Sequence, residues 1–177
     1  KMKSWINYLN LEKFPLSISD RIIQYREDLN KRLVEIYPKG PSTIREPIKY
    51  VLNSSGKRIR PLLAIFSAEA CGGSIDNVFS AAIAVEILHN FTLVHDDIMD
   101  QDFFRHGKET VHQKWDDGTA ILAGDAMLSL ALKLINFSPS SENIQMKIFI
   151  EGLLAVCEGQ ALDKEFETQI SVSIEEY

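Results

Sequence analysis

The stretch "EILHNFTLVHDDIMDQ" (residues 86–101) runs apolar at helical spacing and then breaks into three aspartates, Asp96, Asp97 and Asp100. On an α-helix, residues four apart share a face, so Asp96 and Asp100 stack one turn apart with Asp97 beside them. Like charges at that spacing repel, and the C-terminal end of a helix disfavours anions further. Two readings resolve the conflict. Either this is a solvated acidic helix end, or a cation completes it. Carboxylate oxygens favour hard ions, and two or three of them without an enclosing cage suit a Mg²⁺ ion that keeps waters and takes phosphate oxygens.

Outward from this stretch, almost every segment follows the helical period. Residues 74–101 read as one long helix, apolar almost all round and therefore central to a bundle. Before it, residues 20–37 place Ile22, Ile23, Tyr25, Leu29, Leu33 and Ile36 on one stripe, opened by Ser19 or Asp20 as cap and closed before Pro38. "PSTIREPIKYVLN" reads as a second helix with its prolines near the start. "RPLLAIFSAEACGG" reads as a third, with Pro61 in the first turn and Gly72 at a left-handed stop. After the acidic stretch, "FFRHGKETVHQKWDDGT" reads as an ordered loop or irregular connection. "AILAGDAMLSLALKLINF" then reads as a helix, "SPSSEN" as a loop and "IQMKIFIEGLLAVCEGQALDKEFE" as another helix. No window alternates like a strand, so residues 1–177 are expected to form one all-α helical bundle.

The 177 residues suffice for one core, and 45% hydrophobic with 25% charged residues is ordinary globular composition. No apolar run approaches the roughly 20 residues of a membrane span, and "KMKSWINYLN" lacks the apolar core of a signal peptide. A net charge of −6 with no long basic stripe argues against nucleic acid as a partner. Cys71 and Cys157, far apart in apolar patterns, are expected as buried free thiols of a reducing, cytoplasmic setting.

The acidic end has company. His89 lies seven residues before Asp96, on nearly the same face, as either a core histidine or a groove ligand. "GKRIRP" offers Lys57, Arg58 and Arg60, and Arg105, His106 and Lys108 follow the aspartates. Carboxylates and cationic groups converging on a helical bundle suit a diphosphate bridged by magnesium.

"GKRIRP", "LVHDDIMD", "RHGKETVH", "AGDAML" and "GQALDKEFE", in that order between residues 56 and 167, resemble the trans-isoprenyl diphosphate synthases, or polyprenyl synthetases. The resemblance implies an all-α prenyltransferase fold with helices around a deep central cavity, in most cases a homodimer. Its substrates would be isopentenyl diphosphate and an allylic prenyl diphosphate, with two or three Mg²⁺ ions per site. By the same resemblance, Lys57, Arg60 and His89 hold isopentenyl diphosphate. Asp96, Asp97 and Asp100 form the first aspartate-rich motif and the metal site, with Asp96 and Asp100 foremost as direct metal ligands. Arg105 grips the allylic diphosphate, and Gln160 and Asp163 belong to the helix that closes around the metal cluster.

His106 stands where the family has a second arginine, and imidazole cannot bind phosphate bidentately. The family's second aspartate-rich motif and the Lys-Thr pair before it are absent. "SVSIEEY" pairs Ser173 with Glu176 as a capping box for a helix that the sequence does not contain. The residues are therefore expected to be the N-terminal part of a longer enzyme and inactive alone.

The growing product would lie along the helix below the aspartates. Leu88, Phe91 and Thr92, roughly 6–12 Å before Asp96 at 1.5 Å per residue, then act as a ruler. Small Thr92 leaves room, and Phe91 is either the floor or plain core packing. An aromatic five residues before the motif with a small residue at the fourth resembles archaeal-type geranylgeranyl diphosphate synthases. The alternatives are a farnesyl diphosphate synthase or a non-catalytic regulatory subunit. Asp125 reads as either a cavity-mouth residue or a buried backbone cap. Asp116 and Asp117 read as a helix start, and Trp5, Trp115, Met127 and Met146 as packing residues.

Overall fold

A computed structural model describes residues 17–54, 56–136 and 144–176. The described residues form seven helices: α1 (Ile18–Val34), α2 (Ser42–Leu52), α3 (Ile59–Ala70), α4 (Ile75–Met99), the single-turn α5 (Val111–Lys114), α6 (Asp117–Asn136) and α7 (Ile144–Phe166). Trp5, the "KMKSWINYLN" start and the "SPSSEN" loop lie outside them. The all-α bundle is as expected, with α4 at its centre, packed chiefly on α6 and α3.

The sequence explains that placement. Ala82, Ile83, Ala84, Ile87 and Val94 of α4 are buried, and so are Ala120, Ala123, Met127 and Ala131 of α6. Small alanines let the two helix backbones approach, while Leu29, Leu33, Ile48, Leu52 and Ile65 from the first three helices fill the other side. Met146 packs at the edge of this core, and Trp115 stacks edge-on against Tyr50 with ring centres 5.3 Å apart. By length and apolar composition alone, α4 and α6 could each cross a bilayer, contrary to the expectation that no segment approaches that length. Here the two helices pack chiefly against each other.

Several local readings need correction. Helix α1 starts earlier than expected, because Ser17 is the cap and its Oγ accepts from the Asp20 amide at 3.1 Å. It also stops earlier, at Val34, and Ile23 of the expected stripe is exposed. Pro47 sits inside α2, buried, rather than near its start. Both cysteines are free, but both are exposed rather than buried. Pro61 and the left-handed Gly72 (φ +82°) sit at the start and stop of α3 as expected. Asp116 caps the start of α6, accepting from the Thr119 amide at 2.8 Å. The Ser173–Glu176 capping box is formed, the Ser173 amide donating to Glu176 Oε2 at 3.0 Å.

The connection after α4 is more regular than a loop. Phe104–Arg105 and Lys108–Glu109 pair antiparallel as a two-residue-deep hairpin, β1 and β2. His106 (φ +51°) and Gly107 (φ +76°) form its tip, both left-handed, as a tight primed turn requires. Glycine adopts this conformation freely, whereas histidine carries a small strain for it.

A second polar feature fixes the "GKRIRP" turn. Arg58 is left-handed (φ +53°) and buried at the cap of α3. Its guanidinium donates to Glu86 Oε1 at 2.8 Å, Asn30 Oδ1 at 2.9 Å, the Leu52 carbonyl at 3.0 Å and the Ser54 carbonyl at 2.7 Å. Arg58 thereby ties α1, α2 and α4 to the start of α3, and its neighbours Lys57 and Arg60 remain exposed. Replacing Glu86 with leucine leaves the buried guanidinium without its counter-charge and should cost about 3–5 kcal/mol. Urea denaturation checks this, and a loss below about 1 kcal/mol would show that the pair does not anchor the turn.

Candidate active site

Successive residues of a helix are rotated by about 100°, so Asp96 and Asp97 cannot face the same way. Asp97 is buried and points to the hairpin, where it accepts from Arg105 Nε at 2.5 Å. Asp96, with its side chain 29% exposed, turns toward α7. The two aspartates therefore open on two cavities, with Leu93, one turn back, lining both.

The first cavity, about 490 Å³, is basic. Lys57, Arg60, His89, Arg105, His106 and Lys108 line it, contributed by the "GKRIRP" turn, α4 and the hairpin. The first turn of α3 also opens on it, which adds helix N-terminal dipole to the side-chain charge. Arg60 Nη1 donates to His89 Nε2 at 3.2 Å, so the imidazole proton belongs on Nδ1. Burial first, then the charge of Arg60, holds His89 below its usual pKa. His89 is thus a neutral acceptor that orients Arg60. This arrangement suits an anion held by guanidinium and ammonium groups.

The second cavity, about 410 Å³, is mostly apolar. Phe91, Thr92, Met99, Val156 and Ala161 line it, with Asp96, Gln160 and Lys164 at its polar edge. Phe91 packs edge-on against His95 with ring centres 4.7 Å apart. Of the three ruler positions, Phe91 and Thr92 line the cavity, while Leu88 packs against the core instead.

The acidic helix end carries two internal cations. Arg105 reaches three carboxylates, with Nη2 3.6 Å from Asp96 Oδ2 and 3.7 Å from Asp102 Oδ2 besides its bond to Asp97. Lys164 Nζ lies 3.7 Å from Asp100 Oδ1. Charge compensation is still incomplete. Burial, followed by repulsion from Asp100, pushes the Asp96 carboxyl above its usual pKa, and Asp163 adds a smaller repulsion. Burial likewise raises Asp97, outweighing the opposing pull of Arg105.

Among the described residues, no three His, Cys, Asp or Glu side chains converge as a closed metal cluster. What the helix end offers is an open pair, Asp96 and Asp100, both partly exposed and both acceptor-only. That donor set, left short of positive charge, fits a Mg²⁺ ion that brings water and phosphate oxygens with it. Asp97 is committed to Arg105, away from this pair.

The sequence-derived residues fall into place unevenly. Gln160 lines the apolar cavity, and Asp163 is exposed close by. Asp125 is exposed, with His95 Nε2 4.0 Å from its Oδ1, so it is no buried cap. Two residues were missed. His95 lines the apolar cavity and lies against Gly124, where a Cβ would come 2.2 Å from its Nε2 and force the ring to shift. Lys164 lines the same cavity, and its spacing of four from Gln160 is a signal that could have found it.

The raised Asp96 pKa has a stability consequence. A carboxyl whose native pKa lies above its unfolded value costs stability once pH exceeds the native pKa, and the cost disappears at lower pH. Asp96→Asn should therefore raise the metal-free melting temperature near pH 7.5, with the advantage shrinking as pH falls toward 4. Thermal melts in EDTA across that range check it. A variant less stable than the wild type at pH 7.5 would contradict it.

Known proteins show the same pattern. Residues 41–177 match the polyprenyl synthetase family. The chain is 37% identical over 167 residues to the geranylgeranyl diphosphate synthase of Methanosarcina mazei, covering 92% of this chain and 51% of that one. It is 38% identical over 170 residues to that of Saccharolobus solfataricus, again 92% against 51%. In structure it resembles the geranylgeranyl pyrophosphate synthetase of Pyrococcus horikoshii with a TM-score of 0.83 at 37% identity, covering 89% of this chain and 50% of that one. The chain thus spans about half the length of the relatives it matches.

Proposed function

The chain belongs to the polyprenyl synthetase family, and from that premise we propose that it serves a prenyltransferase joining isopentenyl diphosphate head-to-tail to an allylic prenyl diphosphate. The product we assign is all-trans and short- to medium-chain, geranylgeranyl diphosphate in particular. One observation carries this reading: a basic cavity and an apolar cavity sit side by side across Leu93, with adjacent aspartates of one helix opening on each. A reaction between a diphosphate held by cations and a hydrocarbon chain held away from water needs two such spaces in contact.

In this reading, Lys57 and Arg60 bind the diphosphate of isopentenyl diphosphate, and neutral His89 keeps the Arg60 guanidinium aimed at it. His106 and Lys108 extend the same basic wall. The allylic tail lies in the apolar cavity past Thr92 toward Phe91, with its diphosphate near Asp96, Asp100 and Arg105. Asp96 and Asp100 would hold Mg²⁺, which when bound supplies the positive charge that lets the allylic diphosphate depart. Arg105, fixed by Asp97, stands beside that departing charge. The apolar walls exclude water from the allylic cation, and alignment of the two substrates brings the isopentenyl double bond to it; the new cation then loses a proton to the departed diphosphate, which leaves the product double bond.

The geranylgeranyl assignment rests on Phe91 as floor of the tail cavity and on the archaeal relatives. We also take the protein to be a cytoplasmic homodimer. Two free thiols suit a reducing compartment, and exposed Ile148, Ile150 and Leu154 on α7 suit an apolar partner surface.

Two measurements on the full-length protein test the reading. With isopentenyl and farnesyl diphosphates plus Mg²⁺, Asp96→Ala and Asp100→Ala should each lower chain elongation by at least about a hundredfold. Unchanged elongation would overturn the assignment. Phe91→Ala should shift the product, separated by chromatography, to longer chains, and an unaltered product would remove Phe91 as the floor.

A further inference from the structure

Among the described residues, Lys164 is the one cation at the acidic helix end to which the proposed reaction gives no part. Its Nζ is 3.7 Å from Asp100 Oδ1, 3.4 Å from the Met99 carbonyl oxygen and 3.2 Å from Glu167 Oε1. It projects from α7 across to the end of α4 and lines the apolar cavity at the same edge as Asp96 and Gln160. It therefore occupies one of the two carboxylates that a divalent ion would need.

The two cations of this region differ in kind. Arg105 is locked, because its partner Asp97 is buried and the guanidinium touches two further carboxylates. Lys164 and Asp100 are each 39% exposed and meet at ion-pair distance without a close hydrogen bond. Such a pair is weak and exchangeable. A divalent ion on Asp100 would repel the ammonium at that distance. The flexible four-carbon stem allows the ammonium to leave, and Glu167, three residues on, keeps it near the cavity edge when it does. An ammonium released there, beside Asp96 and Asp100, faces the oxygens of whatever anion the metal carries. Lysine suits that contact as a mobile point charge with three donors.

We propose that Lys164 is a tethered counter-ion that holds Asp100 while the site lacks metal and, once a divalent ion takes that carboxylate, turns to donate to the diphosphate the ion bridges. The inference rests on the reading of Asp96 and Asp100 as the metal-holding pair. It makes two opposite predictions for one side chain, since Lys164 should weaken binding of the bare ion and strengthen binding of the metal–diphosphate complex. A surface lysine with a purely structural role would do neither.

Calorimetric titration of the full-length protein separates the outcomes, first with Mg²⁺ alone and then with inorganic pyrophosphate in saturating Mg²⁺. The proteins compared are the wild type, Lys164→Gln, Lys164→Arg and Asp100→Asn. Lys164→Gln should bind Mg²⁺ roughly two- to fivefold tighter than the wild type, the range that an exposed ion pair allows. It should also bind pyrophosphate several-fold more weakly. Lys164→Arg, which keeps the charge, should stay near the wild type in both, and Asp100→Asn should bind Mg²⁺ more weakly. If Asp100→Asn loses Mg²⁺ affinity but Lys164→Gln gains none, or keeps wild-type pyrophosphate binding, the role of Lys164 is overturned while the metal reading stands. If wild type and Asp100→Asn bind Mg²⁺ alike, the metal reading falls and this inference with it.

Discussion

The constraint on which the rest depends is the crowding of negative charge at the end of α4, and the way Arg105 and Lys164 share the task of offsetting it. A two-residue hairpin returns the chain so that Arg105 meets Asp97 at 2.5 Å and leans on Asp96 and Asp102. From the opposite side, α7 brings Lys164 to Asp100. The question raised by three aspartates on one helix end is thus answered partly within the chain. The upward shifts of Asp96 and Asp97 come first from burial, with repulsion from Asp100 added at Asp96, and both effects favour an arriving cation.

From this constraint the layout of the site follows. Because adjacent helical residues diverge, Asp97 belongs to the basic cavity and Asp96 to the apolar one, and the boundary between them is as thin as Leu93. Anchoring of the basic side is equally indirect. Arg58, whose own side chain is buried against Glu86, fixes the turn from which Lys57 and Arg60 reach the cavity. A buried ion pair of this kind is a poor source of net stability but a good device for specifying one geometry. Lys57 and Arg60, which line the basic cavity, stay exposed, while Arg58, which holds backbone, is buried.

Much of this was legible in the sequence because helical period and spacing are local. The buried stripe of α4, the stacking of Asp96 with Asp100 and the caps at Pro61, Gly72 and Asp116 all follow from residues within a turn or two of one another. What was not legible depends on contacts between distant segments. Arg58 reads as one more basic residue until Glu86 and Asn30 are seen around it. The hairpin hid because each of its strands is only two residues long, too short to show an alternating pattern. Cys71 and Cys157 sit in apolar patterns, yet each falls on an outward face, since a pattern gives a stripe but not which neighbour covers it. His95 required knowledge that α6 passes it at Gly124, a contact made across 29 residues.

The most direct test is a crystal of the full-length protein grown with Mn²⁺ and inorganic pyrophosphate, with the metal located by its anomalous scattering. The account predicts an anomalous peak within coordination distance of Asp96 and Asp100, with the Asp97 side chain still on Arg105. Ordered Mn²⁺ bound elsewhere, or held by Asp97 with Arg105 displaced, would contradict it.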